Sequence, residues 1–408
     1  MTTQVPASAS VEGGRRSGTS GTGEPAFPLA ALLALATAVF ITSLTETLPA
    51  GVLPAMSSSL GVSESAMGQS VTIYAVGTFL TAIPLAAATA TWSRKRLLLT
   101  SMVVFVVANT VTALSPDYTL TLVARFVAGV AAGLAWATLS GYARRMVAVP
   151  LQGRAMAIAM AGIPVALSLG VPAGTFVGRV LGWGAAFLAM SVLAVLVIVW
   201  ILVTVPDYPG QQERRSPILR ALSVPGVSPV LFVTLVFVLA HTILYAYVAT
   251  FLAELGMGRS TDLVLLVFGV ASLVSIWFVG AQVHRRLRVM MVACTLLVAV
   301  AAATLATLSH VTALVYVAAA LWGLGWGGVP TLLQTAVGDA GGDQADAAQV
   351  MLVTLWNVAM AGGGVVGGVL LDLFGPSSLP WSILLLMAPV LIVVMAARGH
   401  GFPATRRT

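Results

Sequence analysis

The stretch TLTLVARFVAGVAAGLAW, residues 119–136, decides the fold. Apart from Arg125, its side chains are apolar, small or hydroxyl-bearing, and the run approaches the roughly 20 residues that a helix needs to cross about 30 Å of hydrocarbon. Gly129 and Gly133 follow the arginine at helical spacing and let a neighbouring backbone approach closely. The stretch therefore predicts a membrane-spanning helix that packs tightly against another helix and carries a single charge.

The composition extends this interpretation to the whole chain. Of 408 residues, 59% are hydrophobic and only 8% are charged, whereas soluble domains carry about 25% charged residues. We therefore expect an all-α integral membrane protein in the lipid bilayer. The net charge of +7 does not require a nucleic-acid partner, because basic residues collect on the cytoplasmic side of membrane proteins; we expect no nucleic-acid binding.

Twelve apolar segments are long enough to span a bilayer, which predicts a multi-pass protein. The segments lie at about 28–55, 67–91, 96–114, 119–142, 154–178, 183–205, 228–253, 262–283, 289–308, 312–336, 348–371 and 379–397. A Pro-, Gly- and charge-rich stretch near the middle predicts a linker. The predicted organisation is a disordered cytoplasmic tail (1–25), a six-helix bundle (26–206), a cytoplasmic linker (207–227), a second six-helix bundle (228–397) and a cytoplasmic tail (398–408).

Charge placement supports this count. With both termini in the cytoplasm, all 20 basic residues except Arg125, Arg179 and Arg259 fall on the cytoplasmic side, as the positive-inside rule requires. The acidic loop at 338–347 is the exception. Abundant Ala, Val and Arg with a single lysine is typical of a GC-rich bacterial genome, so we expect a bacterial inner (plasma) membrane location.

The sequence also contains an internal repeat. A shift of 194 residues aligns special positions of the two halves without gaps. Two parallel six-helix repeats with a site between them near the bilayer midplane are typical of secondary transporters. The aligned pairs are Gly129 with Gly323, Gly133 with Gly327, Gly170 with Gly364, and Gly174 with Gly368.

Three motifs resemble the major facilitator superfamily, and within it the twelve-helix drug:proton antiporters and sugar-efflux relatives. The first is the arginine followed by two glycines in 119–136. The resemblance implies a role in proton coupling for Arg125. The alternative is an arginine that snorkels to the membrane interface. The repeat favours a function, because the equivalent position is Ala319 and the fold does not need an arginine there.

The second motif is Gly170-Val171-Pro172-Ala173-Gly174, which resembles the antiporter motif of this superfamily. Pro172 removes a backbone hydrogen bond and bends the helix, while Gly170 and Gly174 present a smooth face to another helix. Ordinary small-residue packing is the alternative. The repeat copy at 362–368 keeps glycines but lacks the proline, which favours a specific role.

The third motif, in the loop that would fall on residues 86–95, is poorly matched. Only Arg94 and Lys95 agree with the family pattern, and its acidic position is Ala90 here. The repeat copy has His284 at the acidic position. The chain thus lacks, in both halves, the acid on which the family's conformational lock depends, and the basic residues are sufficient to set topology.

Glu46, within FITSLTETLPAGVLP (40–54), is the one acid inside a predicted span. Charged residues in such positions cost several kcal/mol and usually mark function. Burial favours the protonated carboxyl group, while a nearby Arg125 favours the carboxylate. We expect Glu46 to exchange protons and to bind a cation if the substrate is cationic. A permanently protonated packing group is the alternative.

His241 falls one residue from the repeat position of Glu46, so it could titrate in the same cavity; a hydrogen-bonded structural histidine is equally compatible. Other aromatic and polar residues are candidates for lining a substrate cavity, although interface anchoring or core packing explains each one separately. These candidates are Tyr74, Asn109, Trp136, Tyr245, Trp326, Gln334, Trp356 and Asn357.

The expected function is export of a small organic compound, a drug or a metabolite, in exchange for protons by alternating access. No long loop, metal-ligand spacing or ATP-binding motif occurs in the sequence, so we expect a non-enzymatic, monomeric carrier without cofactor or metal. The alternatives are a sugar or neutral-metabolite efflux or symport carrier, and a non-transporting sensor with the same fold. The substrate is not predicted.

Overall fold

The computed structural model describes residues 27–89, 91–210 and 218–403. The predicted tail 1–25, Ala90, linker residues 211–217 and the last residues 404–408 lie outside this part of the chain. Throughout the described residues the regular elements are helices. The first half of the chain (27–206) contains α1 (Leu29–Leu60), α2 (Glu64–Ala88), α3 (Arg94–Leu114), α4 (Tyr118–Arg145), α5 (Gln152–Met160), α6 (Gly162–Val165), α7 (Val171–Leu181) and α8 (Trp183–Thr204).

The second half (218–403) continues in the same way. A π-helical turn (Ala166–Gly170) joins α6 to α7 in the first half; short 3₁₀ turns precede several helices of the second half. The longer elements of the second half are α9 (Val227–Ala246), α10 (Val248–Glu254), α11 (Thr261–Leu308), α12 (Thr312–Gly327), α13 (Val329–Gly341), α14 (Ala345–Phe374) and α15 (Ser378–Ala396).

Ten stretches of the described residues are long and apolar enough to cross a membrane. One of them, Thr312–Phe374, has 63 residues, about 95 Å of helix at about 1.5 Å per residue, against about 30 Å of hydrocarbon. It breaks at Gly342, whose φ is 50°, and contains two predicted spans. The predicted second span, α2, is not among the ten. These two differences explain why twelve spans are predicted from the sequence and ten stretches are found in the structure.

Local signals explain where several helices start and stop. The Ser93 and Asp117 side chains accept hydrogen bonds from backbone N–H groups in the first turns of α3 and α4, as N-cap residues do. The helix α1 ends at Gly61, with φ 66°, a left-handed conformation that glycine adopts without strain. A non-helical Arg286 divides α11 between its two predicted spans.

The internal repeat is visible as a repeated contact. A Cβ atom on Gly129 of α4 would lie 2.1 Å from the carbonyl oxygen of Tyr74 in α2, and one on Gly323 of α12 would lie 2.2 Å from that of Phe268 in α11. Both residue pairs are related by the shift of 194. The helices therefore pack backbone against backbone at equivalent places in the two halves.

A hydroxyl group reinforces each of these crossings. Thr78 donates to the Gly129 carbonyl oxygen (3.0 Å), and its repeat equivalent Ser272 donates to the Gly323 carbonyl oxygen (3.2 Å). Each hydroxyl also lies within hydrogen-bond distance of the carbonyl four residues earlier in its own helix. The pseudo-symmetry predicted from glycine spacing is thus present in the side-chain contacts.

The two halves touch each other at the end of the molecule that holds the α1–α2, α7–α8 and α10–α11 connections; we call this contact the seam. Arg179 at the end of α7 pairs with Asp262 at the start of α11 (2.8 Å). The Ser65 hydroxyl of α2 donates to Asp372 of α14 (2.7 Å). The Tyr247 hydroxyl lies 3.4 Å from the Ser65 carbonyl oxygen. The predicted domain boundaries remain predictions.

Candidate functional site

Arg125 lies inside the protein. It has 0% exposure, which excludes a side chain that snorkels to the membrane interface. Its guanidinium group donates to three backbone carbonyl oxygens on two helices: Nη1 to Thr45 (2.6 Å), Nη2 to Glu46 (3.5 Å) and Nε to Ser70 (3.5 Å). It also lies 4.8 Å from the centre of the Tyr74 ring. Arg125 therefore joins α4 to α1 and α2 through a buried charge.

The shortest of these hydrogen bonds has a cause in the sequence. Pro49 lies inside α1 and has no N–H group, so it cannot serve the carbonyl oxygen four residues earlier. That oxygen belongs to Thr45, the group that Arg125 binds at 2.6 Å. The Thr45 carbonyl oxygen, which Pro49 leaves without a donor, thus accepts a hydrogen bond from Arg125. This contact fixes the backbone beside Glu46.

Glu46 is partly exposed and is not ion-paired to Arg125 within the described residues; Arg125 reaches its backbone carbonyl instead. The direct side-chain pair that the sequence made plausible is therefore absent from this conformation. Glu46 remains within electrostatic range of Arg125, Tyr74 and Tyr245. Its carboxyl group is held close to a fixed positive charge without being neutralised by direct contact.

Tyr74 and Asn109 belong to this buried centre. They are 1% and 0% exposed, so in this conformation they do not face an open cavity as the cavity prediction required. The Tyr74 hydroxyl donates to the Thr42 carbonyl oxygen (3.2 Å), and Asn109 Nδ2 donates to Thr45 Oγ1 (3.1 Å). Tyr74 thus binds the α1 backbone and Asn109 binds the Thr45 side chain, and both contacts hold α1 beside Arg125.

Aromatic rings occupy the corresponding region of the second half. His241 stacks on Trp326 with 3.4 Å between ring centres and 6° between planes, and it also stacks on Tyr245 at 5.1 Å. Its Nδ1 accepts a hydrogen bond from Trp322 Nε1 (3.1 Å). An imidazole nitrogen that accepts carries no proton. His241 therefore has both an aromatic and a hydrogen-bonding role in this conformation.

The remaining predicted cavity residues lie in different environments. Trp356 of α14 is partly exposed and lies 5.6 Å from Trp326, ring centre to ring centre. Trp136 packs on the first-half core. Gln334 is exposed, and the Asn357 amide donates to the Val353 carbonyl oxygen of its own helix (2.9 Å). Tyr245 and Trp326 stack on His241, and Trp356 joins this group through Trp326; the other three residues do not belong to it.

The glycines of the antiporter-like motif pack against α1. A Cβ atom at Gly170 would lie 2.9 Å from the Phe40 ring, and one at Gly174 would lie 2.6 Å from Leu48 Cδ1. Pro172 lies two residues after the π-helical turn Ala166–Gly170 and has no N–H group to donate to the carbonyl oxygen four residues earlier. The contacts agree with small-residue packing on the helix that carries Glu46; the role in transport stays a prediction.

Sequence reasoning missed several residues of this region. The Thr45 carbonyl oxygen was detectable as a free acceptor, because Pro49 has no N–H group for the carbonyl four residues earlier. Trp322 was detectable through its helical spacing from Trp326. The partners Asp262 and Asp372 carry no local signal, since long-range contacts decide their roles. Within the described residues, no group of three His, Cys, Asp or Glu side chains is placed to hold a metal.

The repeated apolar helices and the buried polar centre within the first-half bundle define a multi-pass membrane transporter of the secondary type. The chain belongs to the Major Facilitator Superfamily, whose sequence profile matches residues 35–361. It has the major facilitator fold of two pseudo-symmetric helical bundles, and it is a transporter rather than an enzyme.

Similar proteins include the purine ribonucleoside efflux pumps NepI of Salmonella paratyphi B (strain ATCC BAA-1250 / SPB7) and Salmonella enteritidis PT4 (strain P125109). Each is 28% identical over 367 residues, which cover 88% of this chain and 92% of the relative. The crystal structure of a bacterial homologue of the human lysosomal transporter Spinster, inward-facing and unoccupied, is similar with a TM-score of 0.66 and 13% identity over 93% of this chain and 97% of that one. This likeness concerns the fold.

Proposed function

We propose that the protein exports a small organic compound across the bacterial inner membrane in exchange for protons, by alternating access. One observation carries the proposal: Glu46 is a partly exposed carboxyl group in a membrane-spanning helix, next to a buried arginine that does not neutralise it by direct contact. A carboxyl group in such surroundings can change its charge when a ligand or a helix moves. Arg125 holds the backbone on which Glu46 sits and supplies the fixed positive charge.

His241 is the second titratable candidate, and it can take up a proton at Nδ1 only after the Trp322 hydrogen bond is released. Gly170, Pro172 and Gly174 form the face on which α7 moves against α1. With both termini in the cytoplasm, the seam faces the outside, so the substrate enters from the cytoplasm in this conformation. This orientation follows from the distribution of basic residues.

A purine ribonucleoside is the first substrate to test. The efflux pumps named above export this class of compound, and the aromatic group around His241 and Trp326 suits a heteroaromatic ring. A neutral ribonucleoside also fits the neutral-metabolite alternative better than a cationic drug. Cationic drugs and sugars remain the comparison compounds, and the sensor alternative predicts no turnover with any of them.

The test uses inside-out membrane vesicles with an acidic interior. Wild-type vesicles are expected to accumulate radiolabelled guanosine, adenosine or inosine, and to lose interior acidity as they do so. Glu46→Gln should abolish both signals. Glu254→Gln, at an exposed position at the end of α10, is the matched control and should retain both. Accumulation without proton movement would refute proton exchange, and accumulation of drugs alone would refute the nucleoside assignment.

A further inference from the structure

The two halves differ systematically at equivalent positions around the site. Under the shift of 194, Arg125 corresponds to Ala319, so the second half has no central charge. Ala128 and Ala132, which follow the arginine on α4, correspond to Trp322 and Trp326 on α12. The repeat therefore places a charged, hydrogen-bonding wall opposite an aromatic wall.

The two halves also differ at equivalent positions on the neighbouring helices. Thr47, next to Glu46, corresponds to His241, and Tyr74 corresponds to Phe268. His241 and Phe268 belong to one stacked group, with 6.1 Å between their ring centres. At positions 241, 322 and 326 the second half has aromatic rings where the first half has a threonine and two alanines. A substrate with one aromatic end and one hydroxyl-rich end matches this division.

The aromatic wall has an accessible edge. Trp326 is almost fully covered, with His241 on its face, but Trp356 beside it is partly exposed. Bases stack on aromatic side chains irrespective of their sequence, because every base has a π-face. Trp356 thus offers a stacking surface backed by rigid rings.

Tyr245 connects the two walls. Its ring stacks on His241 at 5.1 Å, and its buried hydroxyl faces the Thr47 side chain, next to Glu46 on α1, without a hydrogen bond of ordinary geometry. That hydroxyl lies within electrostatic range of Glu46. Buried hydroxyls without a partner are uncommon and call for an explanation, and a bound ligand between Tyr245 and Glu46 supplies one.

We infer that the transported ribonucleoside binds in one orientation, with its base against Trp356 and its ribose hydroxyls on Glu46 and Tyr245. This inference rests on the function proposed above. A carboxylate accepts hydrogen bonds from two neighbouring hydroxyls, as acidic residues do at the ribose in dinucleotide-binding folds. Tyr245 completes the ribose contact, and its own hydroxyl gains a partner.

This binding orientation explains why the ribonucleoside is exchanged for a proton. The ionised Glu46 carboxylate accepts the ribose hydroxyls, whereas the protonated carboxyl group has lost part of this capacity and donates instead. A proton and a ribonucleoside therefore compete for the same oxygens although the nucleoside is uncharged. Protonation from the outside displaces the substrate there, and deprotonation inside restores the site.

The test measures equilibrium binding to the purified full-length protein, which separates binding from transport. The ligand pair is guanosine and 2′,3′-dideoxyguanosine, which lacks both ribose hydroxyls. Wild-type protein should bind the dideoxy compound about 10-fold or more weakly, since hydrogen bonds to a charged group are lost. In Glu46→Gln this ratio should fall to about 3-fold or less, and Tyr245→Phe, which keeps the ring, should lower it partly.

Trp356→Ala should weaken both ligands by the same factor and leave their ratio unchanged, because it removes only the base contact. The matched control is Trp277→Ala, at a side chain with 76% exposure on α11, which should alter neither affinity. A ratio that stays at its wild-type value in both Glu46→Gln and Tyr245→Phe would overturn the orientation alone. Wild-type protein that binds no purine ribonucleoside would overturn the proposed substrate class, and the orientation with it.

Discussion

Arg125 donates its shortest hydrogen bond, 2.6 Å, to the carbonyl oxygen of Thr45, one residue before the candidate proton site. This oxygen is free because Pro49 has no N–H group to offer it. The arrangement ties the backbone at Glu46 to a fixed positive charge on α4. Any shift of α1 against α4 has to break or stretch this contact, so it links helix movement to the surroundings of Glu46.

Arg125→Ala should destabilise the protein strongly. It leaves the Thr45 oxygen without a donor and creates a cavity beside Tyr74, so we expect a loss of about 2–4 kcal/mol. Thermal unfolding in detergent measures this. Arg179→Ala removes a half-exposed ion pair at the seam and should cost about 1 kcal/mol or less. Equal melting temperatures for the two variants would contradict a structural role for the buried arginine.

Gly129→Ala should prevent correct packing of α2 on α4. The new Cβ would lie 2.1 Å from a backbone oxygen of Tyr74, and backbone cannot move aside as a flexible side chain does. Gly323→Ala should have the same effect through Phe268. Gly141 has nothing within 4 Å of its Cβ position, so Gly141→Ala serves as the control and should be neutral or slightly stabilising. The yield of monodisperse protein is the measurement.

Gly174→Ala should have a milder effect than Gly129→Ala, and a second substitution should reverse it. Its Cβ would meet the end of the Leu48 side chain at 2.6 Å, and Leu48 is fully buried on α1. We expect reduced transport by Gly174→Ala and recovery in the double variant with Leu48→Ala, measured as guanosine accumulation in vesicles. If the double variant is no better than the single one, contact between α7 and α1 is not what the glycine provides.

The sequence predicted the fold well because a helix that crosses the bilayer needs about 20 consecutive, mostly apolar residues. Span lengths, the positions of basic residues and the glycine pairs of the repeat are all local or periodic signals. They correctly indicated the major facilitator fold and the close crossing at Gly129 and Gly323. A loop at 338–347 was also predicted, and the structure divides α13 from α14 within it, at Gly342, although the apolar stretch around it is continuous enough to count as one segment.

The site was predicted less completely. Glu46 and Arg125 stand out as charges in apolar helices, but which atoms they use depends on three-dimensional packing. Arg125 donates to a backbone oxygen that Pro49 leaves without a donor, and its guanidinium group does not contact the Glu46 carboxyl group. Tyr74 and Asn109 were buried beside them because their hydrogen-bond partners lie on α1. Direction and partner of a long side chain are tertiary properties, and no spacing rule supplies them.

His241→Phe should retain proton exchange. The histidine already uses Nδ1 as an acceptor for Trp322 and its ring for stacking on Trp326, and phenylalanine preserves the stacking. We expect a modest loss of affinity with proton movement per substrate unchanged, measured by pH-sensitive dye and radiolabel in the same vesicles. Uncoupled transport in this variant would assign His241 to proton coupling together with Glu46.

Charge exchange across the seam should show whether Arg179 and Asp262 hold the two halves together. Arg179→Asp places two carboxylates opposite each other and should weaken the seam, partly offset by the contact between Ser65 and Asp372. The double variant Arg179→Asp with Asp262→Arg restores opposite charges and should restore the closed arrangement.

Spin labels on cysteines introduced at positions 181 and 263, which are 70% and 53% exposed, report the distance between α7 and α11. The buried Cys294, the one cysteine of the chain, is replaced by alanine in all variants. We expect a longer and broader distance distribution in the single variant and a wild-type distribution in the double one; identical distributions in all three proteins would mean that the ion pair does not hold the seam.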